Sequence, residues 1–240
     1  MRQRIAAVII TVEGGMAKRS SEATGTAPVG KREVPYHHGA LRQALLDAAE
    51  SLLEESGLEG FTLRECARRA GVSHGAPAHH FGDVRGLLTA FTAQSFEQMA
   101  ALTARYVAAA QPGAYERLVA GGVAYLDYAL AHRARFQLMF RSDRLDVTDR
   151  AFQEAASPVI VELHAAMAAV LEASGTSKSA LPRVTALAWS TVHGFANLML
   201  DNQLFADRVG DAESARRMFI DLMRASREVY ERGAPSAAGE

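Results

Sequence analysis

The sequence predicts an all-α protein, with a small N-terminal helical domain followed by a larger helical one. Three observations predict it. Apolar residues recur at helical spacing from Leu41 to Tyr230, and no stretch alternates strictly enough to make a strand. Hydrophobic residues make up 49% and charged residues 22% of the 240, a globular balance with enough chain for a real core. Glycine, proline and capping residues interrupt the periodic runs at helix-length intervals, at Gly57, Gly71, Gly82-Asp83, Pro112-Gly113 and Gly175.

The totals also exclude classes. A net charge of −1 argues against a protein that coats nucleic acid nonspecifically. Cys66 is the single cysteine, so no internal disulfide can form; on an apolar helix face such a residue is packing. A reducing, cytoplasmic compartment is the expectation. No apolar run approaches membrane-spanning length, so no membrane partner is expected.

In chain order, residues 1–34 read as a disordered tail. Arg2 and Arg4 precede a short apolar run over residues 5–12. This has the outline of a signal peptide, but no small-x-small cleavage site follows. An isolated edge strand is a second reading. The preferred reading is an early start assignment, with the native start at Met16. Residues 20–30 are rich in Ser, Thr, Gly and Ala and form no core. Residues 35–90 make the first domain. Its first helix carries Leu41, Leu45, Ala48, Ala49, Leu52 and Leu53 on one face and ends at Gly57. Tyr36-His37-His38-Gly39 is expected as a loop before it; the adjacent histidines point apart, and no metal site is expected.

Residues 61–81 then read as two short helices joined by a tight turn. Thr62 caps the first, with Glu65 three residues on as a capping box. Leu63, Cys66, Ala67 and Ala70 give a thin apolar face, and Gly71 stops the helix. Ser73 is expected to cap a second helix over residues 73–80. Small residues let the two helices cross closely, which is helix-turn-helix geometry; the plain alternative is an ordinary helical hairpin. Beyond Gly82-Asp83, a long helix is expected from Val84 to about Ala110. Further helices are expected over residues 118–131, 136–140, 149–174 (kinked or divided at Pro158), 181–204 and 212–232. These form a second domain over residues 91–232, and residues 233–240 read as tail.

Thr62-Leu63-Arg64-Glu65, Ala67, Ala70-Gly71-Val72-Ser73, His80-Phe81 and Leu87-Leu88 together resemble the N-terminal domain of the tetracycline-repressor-like (TetR) family of one-component regulators. The resemblance is dense over residues 41–88. Beyond them, Trp189 and His193-Gly194 resemble the Trp/His-Gly signature of one C-terminal subtype. The resemblance implies a homodimer that binds a palindromic double-stranded DNA operator and responds to a small effector. It also implies a dimer interface on the last two long helices. Two departures stand out. The family usually has an aromatic residue where this chain has Ala78, and a phosphate-binding lysine where it has Val84.

The chemistry of the residues gives the candidates. Ser73, His74, Gly75, Ala76, Pro77 and His79 lie on the second helix. Ala76 or Pro77 is placed to touch a thymine methyl, His74 a purine edge and His79 a phosphate. Arg42 and the backbone at Thr62 and Ser73 are further backbone contacts. Arg64, Arg68 and Arg69 read as a solvated face. In the second domain, Tyr125, Phe136, Met139, Phe140, His164, Met167, Trp189 and His193 are the candidate lining of an effector pocket. Their plain alternative is core packing. A mostly apolar lining predicts a small, largely hydrophobic effector. No Ser-His-Asp order, H-E-x-x-H, phosphate loop or G-x-G-x-x-G occurs, and scattered histidines with one cysteine are weak support, so neither enzyme activity nor a cofactor is expected. The nearly balanced charge of the first domain keeps open a protein-binding helical adaptor that does not bind DNA.

Overall fold

A computed structural model describes residues 36–202 and 211–233. The tail over residues 1–34, the end of the helix expected to reach Leu204 and residues 234–240 lie outside the described residues. Ten α-helices and a 3-10 turn make up the described chain, with no strand among the described residues. The helices are α1 (Tyr36–Ser56), α2 (Leu63–Arg69), α3 (Ala76–Phe81), α4 (Val84–Ala109) and α5 (Ala114–Ala131). They continue as α6 (Arg133–Met139), α7 (Arg150–Ala173), α8 (Leu181–Leu200), α9 (Ala212–Ala225) and α10 (Arg227–Glu231).

The chain divides into two compact units. One comprises Met1–Phe91 together with Ser142–Val147, and the other Thr92–Arg141 with Thr148–Glu240. In the first, Leu45, Leu46, Ala49 and Leu52 of α1 are buried, as are Phe61, Cys66, Ala67, Leu87 and Leu88, and α1 packs on α2. Helix α1 begins at Tyr36, so the Tyr36–Gly39 stretch continues the helix instead of forming a loop.

In the second unit, α5 packs on α6, α7, α8 and α9. Its start moves up to Ala114 because Gly113, at φ 139, supplies the bend before it. A Cβ at Gly122 would lie 2.7 Å from the Phe219 ring, so this glycine sets how closely α9 approaches α5. Helix α7 runs unbroken through Pro158. The expected last helix breaks at Ser226, whose hydroxyl turns back to the carbonyls of Leu222 and Met223. Gly233 is part of the structure and not of a tail: it is buried, and Arg183 donates to its carbonyl at 3.1 Å.

Helix α7 corrects the membrane expectation in one respect. It is long enough and, at a mean hydropathy of 1.4 over eighteen residues, apolar enough to cross a membrane by length and composition. One face packs inside the unit through Phe152, Ala155, Ala156, Met167, Val170 and Leu171. The opposite face leaves Pro158, Val161, Ala165 and Ala169 exposed. The apolar stripe of α9 is divided: Ala215, Phe219 and Met223 are buried, while Leu222 is exposed, as is Val229 on α10.

Candidate nucleic-acid interface and ligand-binding core

The interface is built on α2, the turn and α3. Thr62, in extended backbone, accepts the Glu65 amide at 3.2 Å and so caps α2. The Glu65 carboxylate does not complete the box. It takes Arg68 at 2.6 Å and Arg69 at 3.1 Å, and Arg69 also reaches Glu55 at 2.7 Å. These arginine contacts hold the Glu65 carboxyl down at about 2. They also neutralise two of the three arginines of α2. Arg64 stays exposed, with no ion pair to a described residue.

At the C-terminus of α2, Gly71 sits at φ 68, the Val72 amide reaches back to the Ala67 carbonyl at 3.0 Å and the Gly71 amide to Arg68 at 3.3 Å. That is a Schellman closure, and a left-handed residue is required for it. Cys66 beneath is fully buried and donates to the Leu45 carbonyl at 3.3 Å; burial pushes its thiol up to about 11.

Helix α3 starts later than the sequence predicts. Ser73-His74-Gly75 form a turn, closed by the Ala76 amide on the Ser73 carbonyl at 3.0 Å. Gly75 is the cap residue and no side chain caps the helix. Pro77 explains the delay, since it disfavours a helical residue before it and itself fits the first turn. Ser73, His74, Gly75 and His79 are exposed, and so is Ala78. Pro77 is buried, so it packs within the unit and is not available to a base. Ala76 is half-buried. Arg42 of α1 is exposed and stacks over the Phe81 ring at 5.5 Å, which brings a cation beside the end of α3. The structure therefore gathers Arg42, Thr62, Ser73, His74, Gly75, Ala76 and His79 on the first unit and withdraws Pro77.

Sequence reasoning missed how this head is closed. Asp83 accepts the Gly86 amide at 2.8 Å and starts α4. A Cβ at Gly86 would lie 1.9 Å from the Phe81 carbonyl oxygen, so α3 and α4 meet with no room for a side chain. A glycine within a helical run was the only sequence signal for this contact. Val84 is 37% exposed, while Leu87 and Leu88 are buried. The first turn of α4 also holds residues 142–147. Arg85 donates to the carbonyls of Asp143 at 3.0 Å and Leu145 at 3.2 Å. Thr89 accepts the Asp146 amide at 2.9 Å. No local pattern could reveal partners some sixty residues apart.

In the second unit, five of the eight expected pocket residues converge. Tyr125 stacks edge-on to Phe136 at 5.4 Å, Phe136 lies 5.2 Å from Phe140, and His193 lies 4.5 Å from Phe140 and 5.7 Å from Trp189. Two polar tips meet inside the cluster: the Tyr125 hydroxyl and His193 Nδ1 are 2.8 Å apart. Burial raises the Tyr125 phenol above its ordinary value and lowers the His193 imidazole, so both are neutral. Met139 and Met167 are buried on α6 and α7. His164 is half-buried, and its Nε2 is enclosed without a hydrogen-bond partner among the described residues. Separately, a cleft of about 370 Å³ opens between α4 and α7, lined by Glu97, Ala100, Ala151, Glu154, Ala155 and Pro158. Sequence reasoning named none of these residues as pocket lining, and Pro158 only as a kink.

No group of three metal-ligating side chains occurs among the described residues. A second cluster outside the expected sites is ionic: buried Asp127 accepts Tyr106 at 2.6 Å and Arg216 at 2.5 Å, which ties α4, α5 and α9 together.

A helix-turn-helix head joined to an all-helical unit with an aromatic core defines a one-component regulator. Comparison with known proteins narrows the class. The family model described as bacterial regulatory proteins, tetR family, matches residues 45–91. The model of the tetracyclin repressor-like C-terminal domain matches residues 118–225. The HTH-type transcriptional regulator BetI of Burkholderia thailandensis is 41% identical over 86 residues, which is 36% of this chain and 44% of that protein. BetI of Paraburkholderia phymatum is 42% identical over 93 residues, 38% of this chain and again 44% of that protein. The chain thus matches less than half the length of these curated relatives. A solved Rhodococcus sp. RHA1 protein of unknown function is 34% identical, with a TM-score of 0.66 over 80% of this chain and 98% of that one. The TetR-family regulator PfmR of Thermus thermophilus shares the fold, with a TM-score of 0.56 over 80% of this chain and 99% of that one at 18% identity. This chain belongs to the TetR family.

Proposed function

We propose that the protein is a ligand-responsive, DNA-binding transcriptional regulator. It acts as a repressor, binding a palindromic operator as a homodimer and releasing it when a small, largely hydrophobic effector fills the second unit. The observation that carries this reading is the exposed row on α3 and its turn: Ser73, His74, Gly75 and His79 face outward on a closed head, with Arg42 at one end. Small residues there allow approach to the floor of a major groove, and histidine hydrogen-bonds base edges or phosphates. The relatives' printed name, HTH-type transcriptional regulator, supports it. Domain boundaries near residue 91 fit a reader followed by a regulatory half. Catalysis forms no part of the proposal.

The effector site is the Tyr125, Phe136, Phe140, Trp189 and His193 cluster. It is apolar except where the Tyr125–His193 hydrogen bond offers a donor and an acceptor to an incoming molecule. The dimer interface is the outward face of α7 with that of α8, where Ala186, Ser190 and Leu198 are exposed. Small residues on both faces allow close helix packing. This differs from the interface on the last two long helices that the family resemblance implies, where Leu222 and Val229 are also exposed.

The test is a mobility shift of the DNA upstream of the protein's own gene, repeated over a salt series. Specific retention that weakens with salt is expected; no retention at low salt would leave the protein-binding adaptor as the reading. The neutralised Arg68 and Arg69 favour that second reading more than any other feature does.

A further inference from the structure

Residues 142–147 lie between α6 and α7 in sequence, yet they group with the helix-turn-helix unit. The hold on this segment is dense. Leu145 is 1% exposed. Arg85 grips the carbonyls on Asp143 and Leu145, and the Asp146 amide donates to the Thr89 hydroxyl. That hydroxyl in turn donates to the Arg85 carbonyl at 2.7 Å, which locks its rotamer. Arg144 reaches Glu59 at 3.2 Å, an exposed and weaker link.

The segment therefore grips the first turns of α4, and the grip lies next to a contact without slack. Gly86 follows Arg85, and any side chain at Gly86 would overlap the Phe81 carbonyl at the end of α3. A shift of the first turn of α4 must carry the end of α3 with it, because tightly packed backbones cannot absorb displacement. Both ends of the segment continue into helices of the other unit, α6 and α7.

We propose that residues 142–147 are a strap that positions the recognition helix, with Arg85 and Thr89 as its positioning residues and Leu145 as its anchor. The strap sets the placement of α3 through Arg85, Gly86 and Phe81, all within the first unit. The proposal rests on the reading of α2 and α3 as the DNA-reading element.

The test uses the full-length protein carrying Arg85→Met, Arg85→Lys, Thr89→Val or Leu145→Ala. Hydrogen exchange of amides in residues 76–88, measured without DNA, is expected to rise about five- to tenfold in Arg85→Met and Thr89→Val, as one or two lost hydrogen bonds imply. Arg85→Lys keeps a donor and should restore part of the protection. Preference for the upstream DNA over random DNA should fall in step with that exchange, while exchange in α5 and α8 stays at the wild-type rate. If Leu145→Ala does not fold, the polar variants carry the test alone. Unchanged exchange at residues 76–88, or a rise spread evenly over the whole chain, overturns the strap. Faster local exchange in a protein that binds no DNA would retain the strap and sink the reading of the head as a DNA reader.

Discussion

At the scale of single residues, His193 and Val84 make opposite kinds of statement. His193 is neutral because burial lowers its imidazole below the ordinary value of 6.5. Well above about pH 6.5 it is neutral in folded and unfolded chains alike, and its contribution is intact. As pH falls below that value the unfolded chain takes up the proton first, so stability declines until the folded imidazole also titrates. Thermal unfolding from about pH 7.5 to about pH 5 should show a falling melting temperature, and His193→Gln should flatten that slope. Val84 concerns charge outside the core. Its 37% exposure at the start of α4 leaves room for a longer side chain. If that helix end lies on DNA, Val84→Lys adds a phosphate contact, and the slope of log affinity against log salt steepens by about one unit per subunit. His79→Ala should weaken binding to all sequences alike, and His74→Ala should relax preference at one base position. An unchanged salt slope in well-folded Val84→Lys would remove that helix end from the interface.

At the scale of elements, two close contacts decide how the helices meet. Gly86→Ala places a methyl group within the Phe81 carbonyl and should cost about 3 kcal/mol or more, seen as a lower denaturant midpoint. A near-neutral result would mean that α3 and α4 can separate without loss, which would also slacken the strap. The second contact is ionic. Asp127 is buried beneath Tyr106 and half-exposed Arg216, and Asp127→Ala leaves the guanidinium without its buried partner. Solvent reaches Arg216, so the expected loss is nearer about 2 kcal/mol than the full cost of a buried charge. Chemical denaturation of Asp127→Ala beside Arg216→Met separates the lost pair from the stranded charge. Helix α2 needs less from its surroundings, since Thr62 and Gly71 supply both its ends.

At the scale of the whole molecule, assembly follows from the apolar surface left over. Val161 is 46% exposed in the middle of the outer face of α7, and Gly194 of α8 has nothing near a would-be Cβ. Val161→Glu should therefore convert a dimer to monomers in sedimentation, with secondary structure retained. Leu222→Glu on α9, at a residue 41% exposed, should leave the dimer in place. The reverse outcome would return the interface to the last helices. A helix as apolar as α7 can be covered by another copy of itself as readily as by lipid, and its packed face already shows a protein-facing side.

The sequence by itself determined whatever is encoded locally. Helical periodicity, the Thr62 cap and the Gly71 stop specify α1, α2 and the turn, because a cap or a left-handed glycine acts within a few residues of itself. The start of α3 was less legible: Ser73 is a good cap by type, but Pro77 four residues later imposed its own geometry and moved the start to Ala76. Which aromatic residues would meet was partly readable, since Trp189 and His193 share a helix face. That the Tyr125 hydroxyl would find His193 was not. Only the tertiary structure decided that Pro77 is buried, that α9 buries Phe219 and Met223 but leaves Leu222 exposed, and that residues 142–147 lie on Arg85 and Thr89. Each of these depends on which surfaces remain uncovered after the helices pack, and that competition between segments distant in the chain leaves no periodic mark in the sequence.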